Sequence, residues 1–198
     1  MGKKMAGKKR DDEVMEAYYD LVRRVVKALQ TLGLDYAFTG ALAASFYGLP
    51  RTTTDIDVIV RLPNGSAKSK LAHALRQVGV RADQREIDRA LASGYGIVTF
   101  PDSKTAYSLD FIVARQRLRK TTGVIAGVHA FFQTPEDLIL AKLRMIKATV
   151  PRERALKDEE DVKAILRFTG ADIEAIKKRA KKENTLSIFS DLTASENR

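Results

Sequence analysis

The chain has 198 residues, with 35 lysines and arginines against 25 aspartates and glutamates, so its net charge is +10 and its partners are expected to be polyanionic. It contains no cysteine, which excludes disulfides, thiolate zinc sites and cysteine catalysis. No apolar run approaches the ~18 residues of a membrane span, and the N-terminus lacks the apolar region of a signal peptide, so we expect a cytoplasmic protein that makes no membrane contact.

The first half of the chain is predicted to mix helices with strands. The basic segment 1–10 is expected to be a disordered arm, and Asp11–Leu32 an amphipathic helix with apolar residues at helical spacing. The elements predicted after it are the strand Tyr36–Thr39, the helix Gly40–Tyr47, the strand Asp55–Arg61 and the helices Ser66–Val78 and Gln84–Ala92.

The second half is predicted to end its strands early and continue with helices alone. The strands are Tyr95–Phe100, Ala106–Val113 and Val124–Phe132. The helices are Pro135–Ala148, Arg154–Phe168 and Asp172–Lys182, and the tail Thr185–Arg198 has enough apolar residues to dock as a short helix. This order indicates an α/β (α+β) core over residues 11–133 and a helical region over residues 134–198.

Two acids begin the second predicted strand. Side chains on a strand alternate between its faces, so Asp55 and Asp57 point the same way and Ile56 points the other. Oxygen-only ligation by paired carboxylates suits Mg²⁺. The alternative is an acidic strand end that caps a neighbouring helix, and the D-x-D spacing alone leaves both interpretations open.

A small-residue turn lies before these acids. Gly40 and Ala41 open the helix that follows the first strand. A glycine there lets backbone N–H groups approach a phosphate, and the N-terminus of the helix adds a favourable dipole. A triphosphate at the helix start and a metal at the paired aspartates form a layout for nucleotidyl transfer.

The segment 38–60, FTGALAASFYGLPRTTTDIDVIV, resembles the signature of the DNA polymerase β-type nucleotidyltransferase superfamily, which is Gly-Gly or Gly-Ser, a spacer, then Asp-x-Asp. It is most similar to the AbiEii-type branch of toxin–antitoxin and phage-defence loci, whose run reads GGLAAxxxGxxRxTxDIDh. The matching residues are Gly40, Leu42, Ala43, Ala44, Gly48, Arg51, Thr53, Asp55 and Asp57. Ala41 departs from the pattern, because it keeps the backbone N–H but lacks a serine hydroxyl.

The resemblance implies further nucleotide contacts in and after the loop. Arg51 is expected to contact the triphosphate, although a loop arginine is otherwise usually solvated. Thr54 is also expected to contact the nucleotide. The superfamily needs a third carboxylate on an adjacent strand, and Asp110 is the one acid in the apolar strand Ala106–Val113. It would act as general base or share a metal, whereas the alternative is a solvent-facing position.

Two predicted helices carry polar residues on faces that should be apolar. Lys142 shares a face with Leu138 and Ile146, and Met145 lies on it too. Periodicity favours a snorkelling lysine, whereas the resemblance implies contact with the triphosphate. Asp158 and Asp161 match the family's late R-x-K-D-x-x-D run. Asp158 would orient Lys142 at the site; the alternative for both acids is simple stabilisation of the helix dipole.

The sequence therefore predicts a mixed-sheet, polymerase β-type nucleotidyltransferase that depends on Mg²⁺ (or Mn²⁺) and moves a nucleoside monophosphate from an NTP to an acceptor hydroxyl. The acceptor is expected to be a tRNA 3′ end or a protein, and a cognate toxin or antitoxin is the expected partner. Expected RNA contacts are the basic segments Lys3–Arg10, Arg115–Lys120 and Lys177–Lys182. The alternative is a catalytically inactive fold that binds nucleic acid or a toxin. Ala41 favours that alternative, and the intact aspartate triad disfavours it.

Overall fold

The mixed α/β architecture predicted from the sequence is confirmed. The computed structural model describes residues 2–48, 50–51, 53–94 and 96–194, with side chains from residue 13 onward. The predicted strand start at Tyr95 and the tail end 195–198 lie outside the described residues. The helices are α1 Gly2–Thr31, α2 Gly40–Phe46, α3 Gly65–Gln77, α4 Gln84–Ala92, α5 Pro135–Ala148, α6 Leu156–Phe168, α7 Ile173–Lys182 and α8 Leu186–Ala194. The strands are β1 Asp35–Phe38, β2 Asp55–Arg61, β3 Ile97–Pro101, β4 Ser108–Ala114, β5 Lys120–Ile125 and β6 Val128–Gln133.

The strands form one sheet in the order β3-β4-β2-β1-β6-β5. β2 pairs with β4 in parallel, β3 pairs with β4 antiparallel, and β1 pairs with β6 in parallel. The sheet is therefore mixed, and β2 and β4 are neighbours although two helices and β3 separate them in the chain.

The chain folds into two compact units. The first unit comprises Met1–Ala37, Thr54–Leu118 and Thr122–Phe131, and the second comprises Phe38–Thr53, Arg119–Thr121 and Phe132–Arg198. The division predicted from the sequence, a core over residues 11–133 and a helical region over residues 134–198, stays a prediction.

Apolar periodicity explains the packing of the first unit. In α1 the side chains of Leu21, Val22, Val25 and Leu29 are fully buried, as the helical spacing predicted. The helix begins at Gly2, so the backbone is helical through the segment for which we expected a disordered arm. Lysine, alanine and methionine are good helix formers, and each added residue extends an existing helix at little cost.

A buried ion pair also stabilises the first unit. The side chain of Asp102 is fully buried and accepts hydrogen bonds of 3.0 and 3.1 Å from the guanidinium of Arg24 in α1. Thr105 donates a further hydrogen bond of 2.8 Å to the same carboxylate. Burial by itself would raise the pKa of Asp102, but the hydrogen bonds from Arg24 and Thr105 outweigh burial and lower the pKa below its usual value.

One strand prediction was wrong. The run Val124–Phe132 is not a single strand but parts of β5 and β6, joined by a turn at Ala126 and Gly127. Both turn residues have positive φ, 51° and 76°, as a two-residue hairpin requires. Ala-Gly is a weak hairpin signal compared with Asn-Gly or Asp-Gly, and the sequence pattern therefore did not reveal the turn.

Among the described residues, the second unit contains the helices α2, α5, α6, α7 and α8. Thr134 is the N-cap of α5, and its hydroxyl accepts a hydrogen bond of 3.4 Å from the backbone N–H of Asp137, with proline in the first turn as predicted. Met145 was predicted to face the core and is 57% exposed, whereas Lys142 on the same helix is buried. The predicted docking of the tail is confirmed by α8, in which Phe189 is fully buried. No helix within the described ranges combines the length and the apolar character needed to cross a bilayer.

Candidate active site

The two acids of β2 lie on the face of the strand opposite its core residues. Ile56, Val58 and Val60 are fully buried, and Asp55 and Asp57 are half-buried at the alternating positions. The predicted alternation is therefore observed. The buried β-branched residues pack one face of the strand, and this packing fixes the direction in which both carboxylates project.

Asp110 on β4 is brought to the same place as these acids. In the parallel β2–β4 pair, Asp57 is the register partner of Asp110, and Asp55 is the partner of Ser108. Register partners on neighbouring strands project from the same face, about 5 Å apart. The flanking residues Leu109 and Phe111 are buried, so the acid at position 110 faces away from the core.

Hydroxyl groups orient two of the three carboxylates. Ser108 donates a hydrogen bond of 2.7 Å to Oδ1 of Asp55, and Thr54 donates one of 3.2 Å to Oδ2 of the same group. Thr99 on β3 donates a hydrogen bond of 2.6 Å to Oδ1 of Asp110. Thr54, predicted to contact a nucleotide, therefore lies beside the first aspartate of the pair.

The donor set fits a hard divalent cation by its chemistry. The three side chains offer only oxygen atoms and lie on one face of adjacent strands, as Mg²⁺ or Mn²⁺ requires. Within the described part of the chain, however, no cluster of three His, Asp or Glu side chains has the geometry of a metal site.

The glycine turn of the second unit opens α2, as the sequence predicted. Gly40 has φ of 58°, a left-handed conformation that favours glycine, and α2 starts at this residue. The side chain of Thr39 does not cap the helix, and the methyl group of Ala41 is buried. The first backbone N–H groups of a helix have no acceptor within it, so this turn keeps the donors that the prediction assigned to a phosphate.

A cluster of four charged side chains, Arg51, Lys142, Asp158 and Asp161, lies in the second unit. Nε and Nη2 of Arg51 donate to the two carboxylate oxygens of Asp161 at 3.1 and 3.0 Å. Nζ of Lys142 lies 2.7 Å from Oδ1 of Asp158 and 2.6 Å from Oδ2 of Asp161. Lys142 thus does not snorkel to solvent but ends between two carboxylates.

Asp161 is central to this four-residue cluster, although Asp158 was the acid proposed for the site. The side chain of Asp161 is fully buried and binds both cations, whereas that of Asp158 is 23% exposed and binds only Lys142. The late R-x-K-D-x-x-D run contained both acids. The periodicity of α6 did not distinguish them, because the choice depends on Arg51, which lies 110 residues away in the chain.

A family model described as "Nucleotidyl transferase AbiEii toxin, Type IV TA system" matches residues 24–196. The chain belongs to the AbiEii family. This membership makes it a nucleotidyltransferase, as the layout of the glycine turn and the aspartates predicted. The family match covers both units, including the β2–β4 acids and the four-residue cluster.

Two solved structures of the antibiotic-resistance factor ANT(2″)-Ia share the fold of this AbiEii-family chain. The solution structure has a TM-score of 0.60 at 15% identity and covers 92% of this chain and 96% of the other. The crystal structure in complex with adenylyl-2″-tobramycin has a TM-score of 0.61 at 14% identity and covers 85% and 99%. No curated protein matches the chain.

Proposed function

We propose that this AbiEii-family nucleotidyltransferase moves a nucleoside monophosphate from an NTP to an acceptor hydroxyl and releases pyrophosphate. The observation that supports this reaction is the register of β2 and β4, which pairs Asp57 with Asp110 and leaves Asp55 two residues away on the same face. Three carboxylates on one face of a rigid sheet repel one another. Divalent cations bound between them would offset this repulsion, and nucleotidyl transfer is a reaction that uses such cations.

The first unit supplies the groups for the chemical step. Asp55 and Asp57 would hold Mg²⁺ or Mn²⁺, which neutralises phosphate charge and makes an acceptor hydroxyl more acidic. Asp110 would accept the proton of that hydroxyl. The hydroxyl oxygen then bonds to the α-phosphorus of the NTP, and the bond between the α-phosphorus and the pyrophosphate oxygen breaks. Thr99 donates to Oδ1 of Asp110, which orients Oδ2 as the proton acceptor.

The second unit supplies candidate phosphate contacts, which we assign from the family resemblance. The backbone donors are those of Gly40 and Ala41, and the cations are Arg51 and Lys142. Asp158, together with Asp161, holds Lys142 in place. Both cations are already ion-paired in the four-residue cluster, so a triphosphate would compete with carboxylates for them.

Charge and the family description support the acceptor and the partner that we propose. A net charge of +10 favours an RNA acceptor, such as a tRNA 3′ end, over a neutral protein side chain. The matching family is described as the toxin of a type IV toxin–antitoxin system, which supports a cognate antitoxin as partner.

The test is metal-dependent nucleotide binding measured by titration calorimetry and thermal unfolding. Wild type with Mn²⁺ or Mg²⁺ and an NTP should melt at a higher temperature, because a ligand at 100 times its Kd adds about 2.7 kcal/mol of stability. Asp57→Asn should keep the fold and lose this shift. Asp88→Asn is the matched control, since Asp88 lies on the surface of the same unit in an ion pair with Lys68.

The same experiment includes the outcome that contradicts the proposal. If wild type binds no nucleotide in the presence of metal, the transferase proposal fails and the inactive, binding-only interpretation replaces it. If binding is present, incubation with labelled NTP and total tRNA should transfer the label to RNA. Label on protein alone would assign the acceptor to the protein class.

A further inference from the structure

A buried tyrosine lies in an aromatic cluster of the first unit. Tyr18 of α1 is 7% exposed, and its ring packs edge-on against Tyr19 and Tyr107, with centroids 5.9 and 5.2 Å apart. The hydroxyl of Tyr107 donates a hydrogen bond of 3.1 Å to the backbone oxygen of Val14. The rings therefore fix the position of Tyr18 from two sides.

The hydroxyl of Tyr18 has no hydrogen-bond partner, although it is buried. A buried hydroxyl without a partner costs free energy, because it gives up its hydrogen bonds to water. Phenylalanine would make the same ring contacts without this cost. Packing alone therefore does not account for a tyrosine at this position, and the hydroxyl is suited to a partner that arrives with a ligand.

A chain of contacts runs from the ring of Tyr18 to Asp55. Tyr107, which touches the ring of Tyr18, directly precedes Ser108, and Ser108 binds the carboxylate of Asp55. Burial raises the pKa of the Tyr18 hydroxyl, and the charges of Asp57 and Asp55 raise it further. A phenol has an ordinary pKa of about 10, so the hydroxyl is protonated at physiological pH and can donate a hydrogen bond.

We propose that the Tyr18 hydroxyl binds substrate by donating a hydrogen bond to a phosphate oxygen of the nucleotide held at Asp55 and Asp57. This inference rests on the proposed function. Asp55 already accepts from Ser108 and Thr54, so its carboxylate is oriented by donors other than Tyr18. A phosphate oxygen is a strong hydrogen-bond acceptor and carries no proton of its own. A metal held by the aspartates would bind the phosphates of the nucleotide and so bring such an oxygen close to Tyr18.

The experiment compares Tyr18→Phe with wild type in calorimetric titrations of an NTP in the presence of Mn²⁺. We expect Tyr18→Phe to bind about tenfold more weakly, the loss of one hydrogen bond to a charged group. Without ligand, the melting temperature of Tyr18→Phe should be equal to or higher than that of wild type, because the variant lacks the buried hydroxyl that has no partner. Inorganic tripolyphosphate with Mn²⁺ should show the same relative loss, since the contact is to phosphate.

Two variants keep the outcomes separate. Tyr36→Phe removes the hydroxyl of another buried tyrosine, which packs edge-on against Phe131 at 5.5 Å, and should bind nucleotide as wild type does. Asp57→Asn should not bind. If Tyr18→Phe binds as tightly as wild type while Asp57→Asn does not bind, the inference is overturned and the proposed function stands.

The remaining outcomes also decide the inference. A loss with NTP but not with tripolyphosphate would move the contact to the nucleoside and overturn the phosphate assignment. Equal losses in Tyr18→Phe and Tyr36→Phe would indicate a general packing effect and overturn it as well. If wild type itself binds no nucleotide with metal, the proposed function and the inference fail together.

Discussion

Replacing Asp161 by alanine is expected to destabilise the second unit strongly, because it leaves two cations without their shared anion. Arg51 would lose both of its hydrogen bonds to the carboxylate, and Lys142 would keep only Asp158. The side chain of Asp161 is fully buried and that of Lys142 is 7% exposed, so water does not readily replace the lost carboxylate.

The expected loss can be worked out from these contacts. Removing one partner of a buried ion pair costs about 3–5 kcal/mol. The Arg51 side chain is 26% exposed and can be partly rehydrated, which places the expected loss near the lower end of that range. For a chain of this size about 3 kcal/mol corresponds to a melting temperature roughly 6–12 °C lower.

Thermal unfolding followed by circular dichroism measures the effect, with Asp158→Ala as the matched control. Asp158 lies on the same helix and binds the same lysine, but its side chain is 23% exposed. Its removal leaves Lys142 paired with Asp161, so the control should lose about 1 kcal/mol or less. Equal losses in the two variants, or a larger loss in the control, would refute the central role of Asp161.

Four further predictions follow from the contacts described. Lys142→Met should weaken NTP affinity by at least about tenfold, the loss of a charge-assisted hydrogen bond, and unchanged affinity by calorimetry would return the lysine to a structural role. Binding of tRNA in filter assays should weaken steeply with salt, and Arg115→Glu with Arg117→Glu should reduce it while NTP binding stays unchanged. The lowered pKa of Asp102 stabilises the fold above the unfolded pKa of about 4 and ceases to do so as pH falls through the folded value, so Asp102→Asn should flatten the acid limb of a stability-versus-pH curve. Gly40→Ala should cost about 1–2 kcal/mol in chemical denaturation, because φ is 58° at this position.

Local patterns were sufficient to predict the elements that orient the candidate catalytic acids. The alternation of β2 depends only on neighbouring residues, and the structure has Asp55 and Asp57 on one face and Ile56 on the other. Asp110 was identified because the family resemblance requires a third carboxylate on an adjacent strand, and Asp110 is the one acid in the apolar strand Ala106–Val113. The register that pairs it with Asp57 is a long-range property, and only the structure supplies it.

The features that the sequence did not reveal depend on contacts between distant segments. Asp161 and Asp158 are equivalent in helical spacing, and a partner far away in the chain distinguishes them. Tyr18 belongs to an ordinary apolar stripe of α1. Whether its hydroxyl has a hydrogen-bond partner depends on the positions of the surrounding residues, which the sequence does not give. Met145 satisfied the period of α5 but is 57% exposed, because the spacing along one helix does not show which of its residues a neighbouring element covers.

The pairing of Arg51 with Asp161 also sets an order of events during protein synthesis. The two residues are 110 positions apart, and the second unit takes its first segment from Phe38–Thr53 and its last from Phe132–Arg198. At about 5–20 residues per second, a ribosome needs roughly 5–20 s to reach the second residue after the first. Arg51 therefore remains without this anion on the nascent chain, and the four-residue cluster cannot assemble before residue 161 has been synthesised.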